Sequence, residues 1–367
     1  IQIHGLSDGI KTLLVLSIFE SLNHNLILIV ENEKIAKEYL NIINSIEDVA
    51  FFYPAREINF YNIKSIDEKI SAKRLEILIK QSKGEKFFTI TTLESIKNKL
   101  TTLSQFNNNF VKISSEDEID QDEFIKKLIN LNYSLSSLVE NKGEFAKRGS
   151  IIDIWPINYE NPIRIELFDN EIDSIRFFDK STQRTIEKIN EFTISPTNEL
   201  SYESKDFDEV TKLITDEISK LSKNIKTSSD QKLKAKYLQI LDFINERSYI
   251  SNLDLINPYR ASNYQNFLDY LSKDTVFIFD DVNRIYDKNE KSDLEFLEAV
   301  TYQWDRGEVF SSFHNLLADS KIIYDQIKKF SIINLTSLLK KSKLFNPKQL
   351  IELKTIEVEH FNNNIGQ

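Results

Sequence analysis

Leu26-Ile-Leu-Ile-Val30 is five apolar residues in a row, and Glu31–Ile46 after it places Ile35, Tyr39, Ile42 and Ile43 on one helical face. An unbroken apolar run is a strand buried on both sides, and a 3.6-residue period is a helix with one covered side. Together they predict one βα unit of a parallel sheet. Outward from it, Val49–Phe52 and Phe87–Thr91 read as two further strands, with a helix over Asp67–Gln81 between them. Ile1–His4 is a candidate strand feeding the helix upstream. This βαβα rhythm predicts a parallel sheet with helices on both faces.

The polar stretch Ser104–Asn109 suggests a boundary, and beyond it the character changes. After a short helix near Glu123–Leu131, Ile151-Ile-Asp-Ile-Trp155 and Ile163-Arg-Ile-Glu-Leu-Phe168 alternate in the manner of half-buried strands. Asp169-Asn170 marks a tight turn into Ile172–Phe178. Past Ser195-Pro196 a long helical region, Asp206–Glu246, leads to one more buried strand, Thr275–Phe279, and a closing strand is expected at Thr355–Phe361. The order α/β, antiparallel β, α/β predicts a small domain inserted into a parallel-sheet domain. The expected division is 1–111, 112–198 and 199–367.

At roughly 100–200 residues per domain, 367 residues fit two or three domains. The 41% hydrophobic and 28% charged content is that of a globular chain, and no run approaches a membrane span. No signal peptide is read at the start, and the absence of Cys removes disulfides and thiolate chemistry, which suits a reducing cytoplasm. A net charge of −10 argues against a sequence-independent grip on nucleic-acid phosphates. No Met occurs, where a usage of about 2% is ordinary. Together with the missing initiator, this is expected of an excised piece of a longer protein.

Two motifs resemble halves of a nucleotide site. Gly5-Leu-Ser-Asp-Gly-Ile-Lys11-Thr12 places Gly5, Lys11 and Thr12 at phosphate-loop offsets, but Ile10 stands where the second glycine belongs. A β-branched residue resists the close backbone wrap a phosphate needs. Val276-Phe-Ile-Phe-Asp-Asp281 is an apolar strand ending in two acids, Asp280 to orient Mg²⁺ and Asp281 where a water-polarising Glu is usual. The blander readings are a strand-to-helix turn and ordinary loop acids. Both motifs are damaged, so the expectation is a nucleotide fold that has lost hydrolysis, with no catalytic residues. His4, His24, His314 and His360 are scattered, so no metal site or triad is expected. Trp155 is expected to plug the β unit's core.

The most informative stretch is Gly143-Glu-Phe-Ala-Lys-Arg-Gly-Ser-Ile-Ile-Asp-Ile-Trp-Pro156, followed by Pro162–Phe168, Asp173–Asp179 and Gln183-Arg184. Arg148 precedes a glycine, and Arg164 points away from Ile163, Ile165 and Leu167. Phe168 ends its strand beside the turn. Arginine next to an exposable aromatic is a common composition for a protein–protein hot spot, although a solvated sheet face is the ordinary alternative.

This stretch resembles the module shared by UvrB and the transcription-repair coupling factor, Mfd. The resemblance extends over nearly the whole chain, with Gly5–Thr12 as the damaged phosphate loop and Leu268–Asp281 as the strand-end acid motif. The short Phe52–Tyr61 stretch and Ile10 favour the coupling factor's N-terminal UvrB-homology module over UvrB. The resemblance implies a degenerate RecA-like, helicase-type α/β domain split by an inserted α+β domain with antiparallel strands. It implies docking of UvrA through Arg148, Arg164 and Phe168 on an exposed face, with Arg164→Ala costing about 2–4 kcal/mol of affinity. In the parent, the same face would be covered by the C-terminal domain. RNA polymerase and DNA would be held by regions missing here. No cofactor is expected in this piece, ATP and Mg²⁺ belonging to the parent's translocase motor. The competing readings are a UvrB-like ATPase and a purely autoinhibitory structural domain.

Overall fold

The computed structural model describes residues 1–56, 58, 60, 68–202, 204–245, 253–260 and 264–353. Strand β1 (Gln2–His4) leads into α1 (Asp8–Ser21), and β2 (Leu26–Val30) into α2 (Glu33–Ile46). The β2 run is buried along its whole length. Leu26, Leu28 and Val30 enter the core beneath α1 and α2, while Ile27 and Ile29 enter the core on the opposite face. Asn32 starts α2 by accepting the Ile35 N–H, leaving the Ala36–Tyr39–Ile43 side to pack. Then come β3 (Ala50–Tyr53), α3 (Glu68–Ser82), β4 (Phe88–Thr92), and two short helices, α4 (Leu93–Ile96) and α5 (Leu103–Asn108). The last occupies the polar stretch that suggested a boundary, because Thr102 caps it and Phe106 anchors it.

The inserted unit holds β5 (Val111–Ser114), α6 (Gln121–Asn130), β6 (Ser134–Leu135), β7 (Glu144–Arg148), β8 (Ile151–Ile154), β9 (Ile163–Phe168), β10 (Glu171–Phe178), β11 (Thr185–Ile189) and β12 (Glu191–Ile194). A six-stranded sheet runs in the order β11-β10-β9-β8-β7-β6, antiparallel except for the β6–β7 pair, and β5 pairs with β12 separately. Alternation sends Ile163, Ile165 and Leu167 to a core under α6, leaving Arg164, Glu166 and Phe168 on the outer face. Asp169 makes the turn with φ 58°, a left-handed conformation that Asp tolerates.

The helical region after the insertion is two helices, α7 (Ser204–Ser222) and α8 (Ser228–Asn245), packed on each other around Ile214, Leu233 and Tyr237. The break falls where Thr227 and Asp230 make a capping exchange of hydrogen bonds. The sheet resumes with β13 (Val276–Asp280), followed by α9 (Val282–Asp305), α10 (Ser320–Ile327), β14 (Ser331–Thr336) and β15 (Leu350–Glu352). Among the described residues this sheet has seven strands, all parallel, ordered β15-β1-β14-β13-β2-β4-β3. The α/β domain split by an antiparallel insertion is therefore the observed architecture. The closing strand expected at Thr355–Phe361 lies outside the described residues, as do Glu57, Asn59 and Tyr61 of the Phe52–Tyr61 stretch.

One buried ion network ties the insertion's exit to the sheet. Arg74 on α3 is fully buried, donates to Glu199 Oε2 at 2.8 Å and lies over the Tyr53 ring. Arg56 reaches the other oxygen of Glu199 and also Asp254. No helix among the described residues is long and apolar enough to cross a membrane.

Candidate functional site

The outer face of the six-stranded sheet carries the three residues singled out in the sequence, and it treats them differently. Phe168, at the end of β9, is 78% exposed, which for a phenylalanine beside a turn is an uncovered apolar anchor. The Arg148 side chain, at the end of β7, is half-exposed and sends Nη2 to Asp153 Oδ2. Arg164 is largely covered, with 12% of its side chain accessible. Its Nε donates to Asp153 Oδ1 at 2.6 Å and its Nη2 to Asp153 Oδ2 at 2.8 Å, a bidentate fork. The same Nη2 reaches Gln183 Oε1 at 2.7 Å, and the guanidinium lies 4.5 Å from the Phe178 ring centre. The exposed face inferred from the resemblance thus holds for Phe168 and Arg148, whereas Arg164 is built into the sheet.

Register explains the cluster. Asp153 on β8 pairs with Arg164 on β9, which pairs with Arg176 on β10. Asp153 is 1% exposed although it lies on the outer face, its carboxylate taken up by Arg148 and Arg164. Next along, Glu166 accepts both terminal nitrogens of Arg176 and the Ser174 hydroxyl. Those bonds, Arg176 first, hold the Glu166 carboxyl at about 2, well under its usual 4.5. Trp155 is buried, but with Val139 and Ala146 on this outer side, not in the main core, and Lys180 lies over its ring.

The second site is at the carboxyl ends of β1 and β13. Gly5 turns with φ 84°, and its N–H and that of Leu6 donate to the Ser337 and Thr336 carbonyls. Helix α1 already begins at Asp8, so Gly9, Ile10, Lys11 and Thr12 are all helical, and the Ile10 and Lys11 N–H groups donate to Ser7 O. A phosphate cradle needs such amides to converge on an oxyanion. Here four of them are spent inside the protein.

The side chains are spent as well. Lys11 is buried, with Nζ 2.8 Å from Asp280 Oδ1 and 2.9 Å from Asp8 Oδ1. Burial opposes its charge, but the bonds to Asp280 and Asp8 prevail and hold its pKa above the usual value. Asp280 Oδ2 accepts the Tyr39 hydroxyl at 3.0 Å. Burial and then the Asp280 charge push that phenol far up. Asp281 has φ 61° and caps α9, accepting from the Asn283 and Arg284 N–H groups. Thr12 is buried in α1.

A cavity of about 250 Å³ opens nearby, over the ends of β2 and β4. Glu31, Glu33 and Glu94 outnumber Lys288 in its lining, a setting that repels phosphate. Of the histidines, His24 pairs with Asp274 and His314 with the Ser311 carbonyl, both at exposed positions. His360 lies outside the described residues.

Sequence reasoning missed three participants. Asp153 is signalled by one acid inside Ile-Ile-Asp-Ile, Gln183 by its place after the β10 turn, and Tyr39 only by its core-face position on α2.

Residues 111–200 match a family model described as the UvrB interaction domain. The chain is 25% identical over 365 residues to the transcription-repair-coupling factor of Bacillus subtilis (strain 168), covering 99% of this chain and 31% of that protein. It is 28% identical over 332 residues to those of Staphylococcus aureus strains bovine RF122 / ET3-1 and MRSA252, covering 88% of this chain and 27% of each. The chain spans under a third of the length of these relatives. The comparisons bear out the resemblance to the UvrB-homology module of the coupling factor.

Proposed function

We propose, from the premise that residues 111–200 are a UvrB interaction domain in a chain similar throughout to transcription-repair-coupling factors, that this module docks UvrA and does not itself hydrolyse ATP. Its role in a longer cytoplasmic parent would be to bring nucleotide-excision repair to a stalled RNA polymerase on DNA. The observation that carries the docking half is Phe168, a nearly uncovered aromatic on a sheet face that also presents the half-exposed Arg148. An apolar anchor sharing a face with positioned arginines is the composition of an interface hot spot.

The absence of ATPase activity is supported by the Lys11–Asp280 pair. Lysine at this offset normally meets phosphate oxygens, and the first strand-end acid normally faces Mg²⁺. Here each neutralises the other, Tyr39 fills the remaining carboxylate oxygen, and Asp281 is committed to α9. ATP would have to break a buried ion pair to enter.

The test is calorimetric titration of the chain with purified UvrA. Saturable one-to-one binding supports the reading, and no heat or complex at tens of micromolar overturns it. ATP hydrolysis by the isolated chain above a buffer control would overturn the second half.

A further inference from the structure

Resting on the docking reading above, we propose that Asp153 is the positioning residue of the docking face, which sets where Arg148 and Arg164 present their guanidinium groups to a carboxylate of the partner. Asp153 is too deeply buried to meet a partner itself. Its two oxygens receive Nε and Nη2 of Arg164 and Nη2 of Arg148, from strands on either side of β8. Gln183, held at φ 60° after the β10 turn, reaches back to Arg164 Nη2 at 2.7 Å. An arginine on a sheet surface ordinarily samples many rotamers, and docking must freeze them. Here the freezing is done before the partner arrives.

The charge count names the partner's chemistry. Two guanidinium groups share one carboxylate, so the cluster keeps a net charge of +1 on a chain whose total is −10. Arg148 Nε and Nη1 and Arg164 Nη1 have no hydrogen-bond partner among the described residues. Those donors, on the same sheet face as the uncovered Phe168, suit a partner that offers a carboxylate and an apolar pocket.

The test is calorimetric titration of UvrA with the parent chain, Asp153→Asn and Gln183→Asn, each checked for thermal unfolding. The positioning role predicts that Asp153→Asn binds with unchanged stoichiometry and a Kd at least tenfold weaker. The same substitution in an Arg148→Ala background should then weaken binding by a smaller factor than in the parent, because only Arg164 is left for it to position. A merely structural role would lower the stoichiometry or the melting temperature and leave Kd alone. A Kd within twofold of the parent therefore overturns the positioning role while the docking reading stands. If Asp153→Asn does not fold, Gln183→Asn decides, since the shorter amide cannot reach Arg164. Weakening of threefold or more supports the role, and less overturns it. A parent chain that does not bind UvrA overturns the docking reading and this inference with it.

Discussion

Lys11 Nζ stands 2.8 Å from Asp280 Oδ1, so the two residues a working nucleotide site turns toward phosphate and Mg²⁺ are turned toward each other. The pair is closed on all sides, by Asp8, by the Tyr39 hydroxyl and by helix α1 beginning three residues ahead of the lysine. Restoring the missing glycine would not reopen it.

Ile10→Gly should therefore leave the chain blind to ATP. Neither it nor the parent should show a melting-temperature shift with millimolar ATP and Mg²⁺. Saturating ligand would add stability as RT ln(1 + [L]/Kd), so a rise of several degrees in either protein would reverse this conclusion. Ile10→Gly itself should cost about 1 kcal/mol, because it places glycine inside a helix.

Phe168→Ala and Arg164→Ala should separate binding from folding. Phe168 packs on little, so its truncation should leave unfolding by urea within about 0.5 kcal/mol of the parent while UvrA affinity falls at least tenfold. Arg164→Ala removes two of three hydrogen bonds from a buried carboxylate and should destabilise by about 3 kcal/mol. The loss expected from the sequence for Arg164 would then mix both effects. Equal urea midpoints for the two variants would contradict the burial argument.

Acid should act partly through Glu166. Its folded pKa of about 2 lies below the usual 4.5, so its pairing with Arg176 contributes stability fully present above the unfolded pKa. That contribution is lost as pH falls from about 4.5 through about 2. Glu166→Gln should flatten the melting temperature against pH in that window, by up to one proton's worth of slope, and leave the curve above pH 6 parallel to the parent's. A variant as steep as the parent below pH 4 would rule the group out.

Gly5→Ala should be costly for a reason unrelated to phosphate. The residue has φ 84°, and a Cβ there would sit 2.2 Å from the Leu353 carbonyl oxygen, a backbone atom that cannot swing aside. A loss of about 2–4 kcal/mol in urea unfolding is expected. A loss under 1 kcal/mol would mean that β15 moves off β1 at little cost.

The sheet was legible because its strands announce themselves. Leu26–Val30 and Thr275–Phe279 are too apolar to be anything but interior, and the parallel order follows from helices between strands. The insertion was legible from alternation, including the outward Arg164 and Phe168. What the sequence hid was pairing at a distance. Nothing local says that Lys11 meets Asp280, 269 positions away, or that an outward-facing Asp153 is buried, because both depend on strand register. Arg164 was expected to be open for the same reason: its neighbour on β8 is invisible along the chain. The long helical region expected over Asp206–Glu246 resolves into two helices at a polar stretch that caps the second.

Strand β1 hydrogen-bonds only to β14 and β15, so residues 2–4 have no sheet neighbour until residues 331–352 exist. On a ribosome, β1 would be made long before the two strands that seat it. The inserted sheet, whose strands pair within residues 134–189, needs no such wait. Local pairings close quickly, and sequence-distant ones bear the full loop entropy, about 5 kcal/mol for some 330 residues. The inserted sheet can thus stand finished on a nascent chain while the domain that carries it is still open, exposing apolar strands to chaperones and proteases until synthesis passes β15.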